Sequence, residues 1–404
     1  MSFVQLPFVR NPNFRIAVLS PFVDRRHGTE RALAELLERL VCNHACEIHL
    51  YAQKVEDLPV ISFHKSSSGF ASSLLWHRVP RIPGPYLLQF LFWITMNRLC
   101  RLRDELLRGI KFDAVLSPGI NALDADVILV HVVFHRLKEL QGAHPQSGLR
   151  GLHRSLYYRL LCFLENRVYA RNRLRLAAVS DHTADQLNHY FRRRDVAVVP
   201  NGVDLSHFSP GNRLALRAAA RAKLGYSEGE IILLLVGNDL RNKGLPVLLD
   251  SLKRCRDLPL RLCVVGNDGS SEHTEKLEAL QLQDRVTFAG ETAEILAYYA
   301  AADIYVAPSL EDSFNLPVLE AAACGLPVVV STKAGISDYL SDGIDGLLLP
   351  EPDNSLSLCK ILSRLAQDAE LRSTLGQNAA HTAARLSWDR HAEAIYALLS
   401  SIRC

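Results

Sequence analysis

With 404 residues, 48% of them apolar, and a formal net charge of +3 at pH 7, the chain is too long for one ordinary core and reads as two globular domains of roughly 200 residues each. No apolar run reaches the roughly 18 residues of a membrane-spanning helix, and MSFVQLPFVR lacks the basic region and apolar core of a signal peptide. Nine scattered cysteines without a C-x-x-C spacing point to reduced thiols in a cytoplasmic protein.

The charge is uneven. Residues 1–205 hold 27 Lys and Arg against 18 Asp and Glu, whereas 206–404 hold 19 against 25. A basic half joined to an acidic one suggests that the first half meets an anionic partner, and a nucleic acid or a membrane surface would satisfy that clue. Phe14 to Ser20 reads as a first strand, followed by a turn and a helix with Thr29 as N-cap and Gly28 allowing a close backbone turn. Cys46 to Ala52 and Val60 to His64 alternate as strands, and 65–85 reads as irregular on its Ser, Pro and Gly content. Tyr86 to Thr95, YLLQFLFWIT, is almost wholly apolar and lies among Arg78, Arg81, Arg98, Arg101, Arg103 and Arg108. It is too short to span a bilayer. It reads as an interfacial segment with arginines on headgroups, or as a buried helix of the first domain.

Phe112 to Ser117 and Val127 to His131 read as strands of the same sheet, and His131, where the second ends, is expected to face a ligand crevice. His131 and His135 lack a third ligand, so no metal site is expected. A basic helix with Tyr157, Tyr158 and Phe163 spans 151–172. Then comes AAVSDHTADQL as strand, cap (Ser180 or Asp181) and helix. Pro200, Gly202 and Pro210 mark a boundary. A helix around Leu214 to Leu224 opens the second domain. IILLLVG, ending at Gly237, is a buried strand, and the loop after it carries Asn238, Arg241 and Lys243.

The most informative stretch runs from Asp303 to Pro327. Ile304 to Ala307 is an apolar strand, 308–315 a polar loop, and Leu316 to Cys324 a helix with Pro317 in its first turn and Gly325 at its stop. A loop leaving a parallel strand's carboxyl end faces the ligand crevice, and the helix after it points free N–H groups and a positive dipole end there. A phosphate is the expected guest. Asp312 and Glu320 bracket the place, and carboxylates accept hydrogen bonds from hydroxyls. Phosphate donors flanked by carboxylates suit a nucleotide-sugar.

DSFNLPVLE resembles the E-x7-E motif of glycosyltransferase family 4, with Asp312 at the first carboxylate and Asn315 where a Gly is usual; Glu311 is one residue out of register. Lys243-Gly244 matches the family's K-G, with Asn238 at its Arg position. VPNGVD, LCVVGNDG, the stretch after the motif with Asp338 for a frequent Glu, and SWDRHAEAIYALL resemble its further segments. Glu165 resembles an acidic residue common there, and Gly28-Thr29 the loop after the first strand. The resemblance implies a GT-B fold: two Rossmann-like domains with parallel sheets facing across a cleft. The domains are 1–205 for the acceptor and 206–385 for the nucleotide-sugar, with 386–404 returning to the first. It implies retention at the anomeric carbon, with Asp312 on the transferred sugar, Glu320 on the ribose, and Lys243, Arg241 and the amides of Phe314, Asn315 and Leu316 on the diphosphate. His131 would lie beside the sugar. Asn238, Gly237, Gly28 and Thr29 complete the donor surroundings. No cofactor or metal is implied; the donor is a nucleoside-diphosphate sugar, a UDP-sugar before a GDP-sugar, and the acceptor a glycan or lipid-linked hydroxyl.

An NAD-dependent dehydrogenase would need G-x-G-x-x-G after a strand, which is missing. A GT-B nucleotide-sugar epimerase and a nucleotide-sugar-binding protein without turnover stay open. Nucleic acid would account for the basic charge but not for the apolar run, so the first domain is expected to make peripheral contact with the cytoplasmic face of a membrane.

Overall fold

The structure, a computed structural model, describes residues 14–58, 64–65, 71–142, 148–267 and 270–403. The chain forms two compact units: one holds the described residues up to Val179, Thr183–Val199 and the segment from Trp388, the other Ser180–His182 and Pro200–Ser387.

The first unit is built on β1 (Arg15–Leu19), β2 (Phe22–Val23), β3 (Glu47–Ala52), β4 (Lys54–Val55), β5 (His64–Lys65), β6 (Ala71–Arg78), β7 (Ala114–Pro118), β8 (Val127–Val130), β9 (Arg175–Ala178) and β10 (Ala197–Val198). Eight of them form one sheet in the order β10-β9-β8-β7-β1-β3-β6-β5, parallel except for β5 on β6, while β2 pairs with β4. Parallel strands are buried on both faces, which is why IAVL in β1 and VILV in β8 are continuous apolar runs. Successive residues of β1 serve opposite cores. Ile16 and Val18 pack with Leu33, Leu36 and Leu37; Ala17 and Leu19 join Trp93, Ile128 and Tyr169. The helices are α1 (Gly28–Cys42), α2 (Tyr86–Arg108), α3 (Phe134–Gly142), α4 (Gly148–Tyr169) and α5 (Asp181–Phe191).

Several expectations change here. Residues 65–85 are not irregular throughout: β6 pairs in parallel with β3, from Glu47↔Ser73 to Ala52↔Arg78. Val60–Phe63 of the expected second strand lie outside the described residues. Helix α1 begins two residues early, so His27 rather than Thr29 is the N-cap, and it makes no side-chain capping bond. Asp24 orders the turn before it, its Oδ1 accepting from the Arg26 and His27 amides at 2.8 and 2.9 Å. The apolar run is only the first half of α2, which continues to Gly109 at φ +64°. Its arginines do not all face outward. Arg101 is 1% exposed and pairs with Asp124 at 2.6 Å, and Arg98 shares that carboxylate at 2.7 Å.

The second unit carries α6 (Pro210–Lys223), β11 (Ile231–Val236), α7 (Leu245–Arg254), β12 (Leu260–Val265), α8 (Ser270–Leu280), β13 (Val286–Gly290), α9 (Ile295–Ala301), β14 (Ile304–Ala307), α10 (Leu316–Ala323), β15 (Val328–Ser331), β16 (Leu347–Leu349), α11 (Ser355–Gln367) and α12 (Ala369–Ala383). Its sheet is wholly parallel, in the order β13-β12-β11-β14-β15-β16. Helix α6 starts earlier than Leu214 because Ser209 caps it, its Oγ accepting from the Asn212 amide at 3.3 Å, with Pro210 in the first turn. Cys255 and Cys359 form a disulfide between α7's end and α11, which overturns the reading of every thiol as reduced; spacing could not show it, since 104 residues separate them. Asp268 and Gly269 of the LCVVGNDG segment lie outside the described residues. The last helix, α13 (Trp388–Ser400), returns to the first unit, where Ala392, Ile395 and Leu399 pack into the core beside α1.

Among its parallel strands each sheet reverses its order once. In the first unit β1 lies between β7 and β3; in the second β11 lies between β12 and β14. A parallel sheet opens a crevice at the carboxyl ends of its strands where the order reverses. Both sites below sit at such ends.

Candidate functional site

In the second unit the loops after β11 and β14 interlock. Gly244, at φ +82°, packs so closely that a Cβ there would stand 2.1 Å from the Pro308 carbonyl oxygen. No L side chain adopts that conformation easily or fits that gap. The Leu310 amide donates to the Asn242 carbonyl, and Asn242 Nδ2 to the Glu311 carbonyl, both at 2.8 Å. This brings Lys243 Nζ to 2.6 Å from Asp312 Oδ2, with both side chains largely buried. The lysine stem passes over Gly237, where a Cβ would meet its Cγ at 2.8 Å. A third loop holds the far side: the Asp312 amide donates to the Lys333 carbonyl at 3.0 Å, and Gly335 and Ile336 donate to the Asp312 and Phe314 carbonyls at 2.9 Å.

Asn315 stands in the left-handed region at φ +75° and ends the loop as N-cap of α10. Asn is among the few residues that tolerate it, so it can replace the expected Gly. Its Nδ2 donates to Ser309 Oγ at 3.2 Å. The Phe314 amide donates to Asp312 Oδ1 at 3.2 Å, so it serves the carboxylate in this state. One turn into α10, Glu320 is 4% exposed, and its Oε2 accepts from the Tyr299 hydroxyl at 2.7 Å. Burial, then the Glu320 charge, pushes the Tyr299 phenol well up, keeping it a donor.

Lys243, Asp312, Phe314, Asn315, Leu316 and Glu320 thus meet at the α10 N-terminus. Arg241 does not join them: it is exposed and forms no ion pair among the described residues. Asn238 is also exposed, its Oδ1 accepting from the Asn267 amide at 3.0 Å, which ties the loop after β11 to the one after β12. Sequence reasoning missed a group around Ser180–His182. His182 Nε2 lies 2.7 Å from Glu311 Oε1, the His182 amide donates to Asp338 Oδ2 at 2.9 Å, and Ser180 Oγ donates to the Ser313 carbonyl at 2.7 Å. Glu311, out of register for the motif, is buried and partnered. These pairs are 129 to 156 residues apart, and no spacing announces them.

In the first unit, a cavity of about 260 Å³ opens at the ends of β1, β7 and β8. Thr29 and His131 both line it, with Phe90, Trp93, Asn121 and Tyr157 among the other walls. Gly28 is exposed and not part of the wall. Glu165 positions the chain after His131. It is buried, and its oxygens accept from the Phe134 and His135 amides at 2.7 and 3.0 Å and lie 2.7 Å from His135 Nδ1. With Cys162 these two residues place three possible ligand atoms within 4.8 Å. The carboxylate already serves the start of α3, and burial first pushes the Cys162 thiol up, so the group reads as a helix cap.

Residues 217–382 match the family of glycosyl transferases group 1, and residues 26–207 match glycosyltransferase family 4. The curated D-inositol 3-phosphate glycosyltransferase of Streptomyces bingchenggensis is 36% identical over 236 residues, 54% of this chain and 51% of that protein. The protein of the same name from Actinosynnema mirum is 36% identical over 248 residues, 57% of this chain and 58% of its own length. The matched stretch spans about half the length of these relatives. The solved structure of WaaG, a glycosyltransferase involved in lipopolysaccharide biosynthesis, superimposes with a TM-score of 0.73 at 19% identity, covering 94% of this chain and 98% of WaaG. Anabaena HepE in complex with UDP-glucose gives 0.68 at 19%, covering 96% and 99%. At such identity the likeness shows the fold, which is GT-B.

Proposed function

Because the chain belongs to glycosyltransferase family 4, we propose that it is a retaining transferase that moves a sugar from a nucleoside-diphosphate sugar, a UDP-sugar first, to a hydroxyl of a glycan or lipid-linked acceptor. The observation that carries this reading is the Lys243–Asp312 pair, 2.6 Å apart at the N-terminus of α10. A helix N-terminus attracts phosphate, and a lysine beside it compensates charge that grows as a diphosphate departs. Asp312 holds that lysine until the donor arrives and then accepts from sugar hydroxyls. Glu320, with Tyr299 on one oxygen, takes the ribose. In the reaction the acceptor oxygen bonds to the anomeric carbon, the bond from that carbon to the phosphate oxygen breaks on the same face, and the acceptor's proton passes to the departing phosphate. The protein supplies charge and position, without a metal. Arg241, on an exposed side chain, would reach the diphosphate only once it is bound.

The inositol 3-phosphate glycosyltransferases suggest a cyclitol phosphate as acceptor, and WaaG, with its part in lipopolysaccharide biosynthesis, suggests a glycolipid. The exposed apolar side of α2 favours the second. Leu88, Leu91 and Leu99 are 55%, 46% and 51% exposed. They fall three and eight residues apart and so share one side of the helix. Peripheral contact with the cytoplasmic face of a membrane through this side follows. Trp93 plays no part in it, being buried with its Nε1 donating to the Asn121 carbonyl at 2.9 Å.

Thermal shift against UDP, GDP, ADP and their sugars tests the donor, since a ligand of the folded site raises the melting temperature. Product analysis in EDTA then separates a transferase from a binding protein without turnover. Free sugar nucleotides that neither stabilise the protein nor yield product would refute the reading.

A further inference from the structure

On the premise that the chain is a family 4 transferase, we propose that the cavity of the first unit selects an uncharged acceptor: a hydroxylated head group carrying an apolar chain or ring, and not a phosphorylated polyol.

The wall is first of all aromatic. Trp93 is fixed by its bond to the Asn121 carbonyl, and Phe90 meets Tyr157 edge-on at 5.9 Å between ring centres. Such surfaces gain by covering apolar atoms or the C–H faces of a sugar. Tyr86, in the same wall, is 74% exposed. It marks the mouth through which an apolar chain would leave.

The polar part of the wall offers acceptors. Three amide side chains line the cavity, and each spends an N–H on a backbone carbonyl: Asn121 Nδ2 donates to Pro118 at 2.6 Å, Gln53 Nε2 to Pro80 at 3.1 Å and Gln89 Nε2 to Gly84 at 2.6 Å. Each amide keeps its oxygen and one further N–H for a ligand, a set that suits hydroxyls, which both donate and accept. A smaller cavity shares Pro21, Phe22, Thr29, Pro118 and Asn121 with this one and adds the Glu30 carboxylate. None of the described residues lining either cavity is a lysine or an arginine. Arg81, the arginine stacked on the wall residue Phe22 at 5.3 Å from its ring centre, is not itself in the wall. A phosphate placed here would lose its water with no lysine or arginine of the described wall to compensate and only the His131 imidazole near it, beside amide oxygens and a carboxylate. An uncharged polyol head would satisfy those oxygens.

Calorimetric titration of the full chain tests this with three probes: n-octyl β-D-glucopyranoside below its critical micelle concentration, D-glucose, and myo-inositol 1-phosphate. Saturable octyl glucoside binding at least about tenfold tighter than either other probe is expected. Phe90→Ala should weaken it about tenfold, whereas Leu88→Ser with Leu91→Ser, on the exposed side of α2, should not change it. Gln89→Lys, a surface-edge change that leaves the core intact, should shift preference toward the phosphate. Equal or tighter binding of the inositol phosphate overturns the inference. So does octyl glucoside binding that survives Phe90→Ala but is lost with the leucines, which would mark an adventitious additive only, and so does the lack of any saturable binding. UDP titrated into the same samples keeps the two readings apart: a protein that binds UDP and fails the octyl glucoside test keeps its transferase assignment and loses only this acceptor class.

Discussion

The two sites at the strand ends are made of different materials. The second unit's site is backbone and charge: a left-handed Asn315, a Gly244 pressed against Pro308, a helix N-terminus, and Lys243 facing Asp312. The first unit's is side-chain surface: aromatic rings from α2 and α4 and amide oxygens anchored to separate turns. A diphosphate demands cations and close backbone approach, and only a few residue types at fixed offsets provide them. A hydroxylated, apolar ligand demands complementary area, which many residues from many elements can supply. The same fold therefore carries one site written as a motif and one that is not.

The sharpest way to break that contrast is Lys243→Ala. Turnover should fall about 10²- to 10³-fold, the usual loss when a transition-state charge partner is removed, while octyl glucoside binding in the first unit stays unchanged. Steady-state kinetics varying each substrate reads this; a loss confined to the acceptor's KM would remove Lys243 from the diphosphate.

Glu320→Gln comes next. It keeps an oxygen for Tyr299 but loses the charge, so affinity for free nucleoside diphosphate should fall about tenfold whichever sugar the donor carries. Unchanged affinity would make Glu320 a structural partner of Tyr299 alone.

Flotation with liposomes probes the outer side of α2. Recovery should need anionic lipid, weaken with salt, and drop severalfold in Leu88→Ser with Leu91→Ser. Equal recovery on neutral and anionic vesicles, or none on either, would leave the acceptor soluble.

Acid should separate the units most gently. In the first, His49 Nδ1 lies 2.9 Å from His77 Nε2, and His77 Nδ1 lies 2.9 Å from Asp104 Oδ2. Burial, then the neighbouring His49, pushes His77 down to about 4. The unfolded chain's histidine takes a proton near pH 6.5. Between about 6.5 and 4 the unfolded state therefore binds more protons, and stability falls as pH falls. Calorimetry across that window should show the melting temperature dropping, with a shallower slope in His77→Gln; an unchanged slope would place the acid sensitivity elsewhere.

How much is legible in the sequence follows the same division. The Ile304–Ala307 strand, its loop and α10 are legible because a buried parallel strand, a polar loop and a Pro-started helix each leave a local pattern. Lys243 is legible beside its glycine for the same reason. Arg241 has only its position in the loop to place it, and an exposed side chain is directed by no packing. Strand β6 is hidden by the Ser- and Gly-rich residues before it, and the start of α1 by a turn that Asp24, not Thr29, organises. The flanking arginines read as a basic surface until Asp124 takes Arg98 and Arg101.

By itself the sequence determined the α/β class, the strand, loop and helix around Asp312, and the place of Lys243 in the loop after β11, because those depend on offsets of a few residues along one chain. Only the tertiary structure decided that Lys243 meets Asp312 across 69 positions, that His182 holds Glu311, that Cys255 joins Cys359, and that the described walls around His131 carry amides and rings without a lysine or arginine. Each of these is a meeting of side chains from distant elements. Chain spacing says nothing of such meetings until packing within each core brings the elements together.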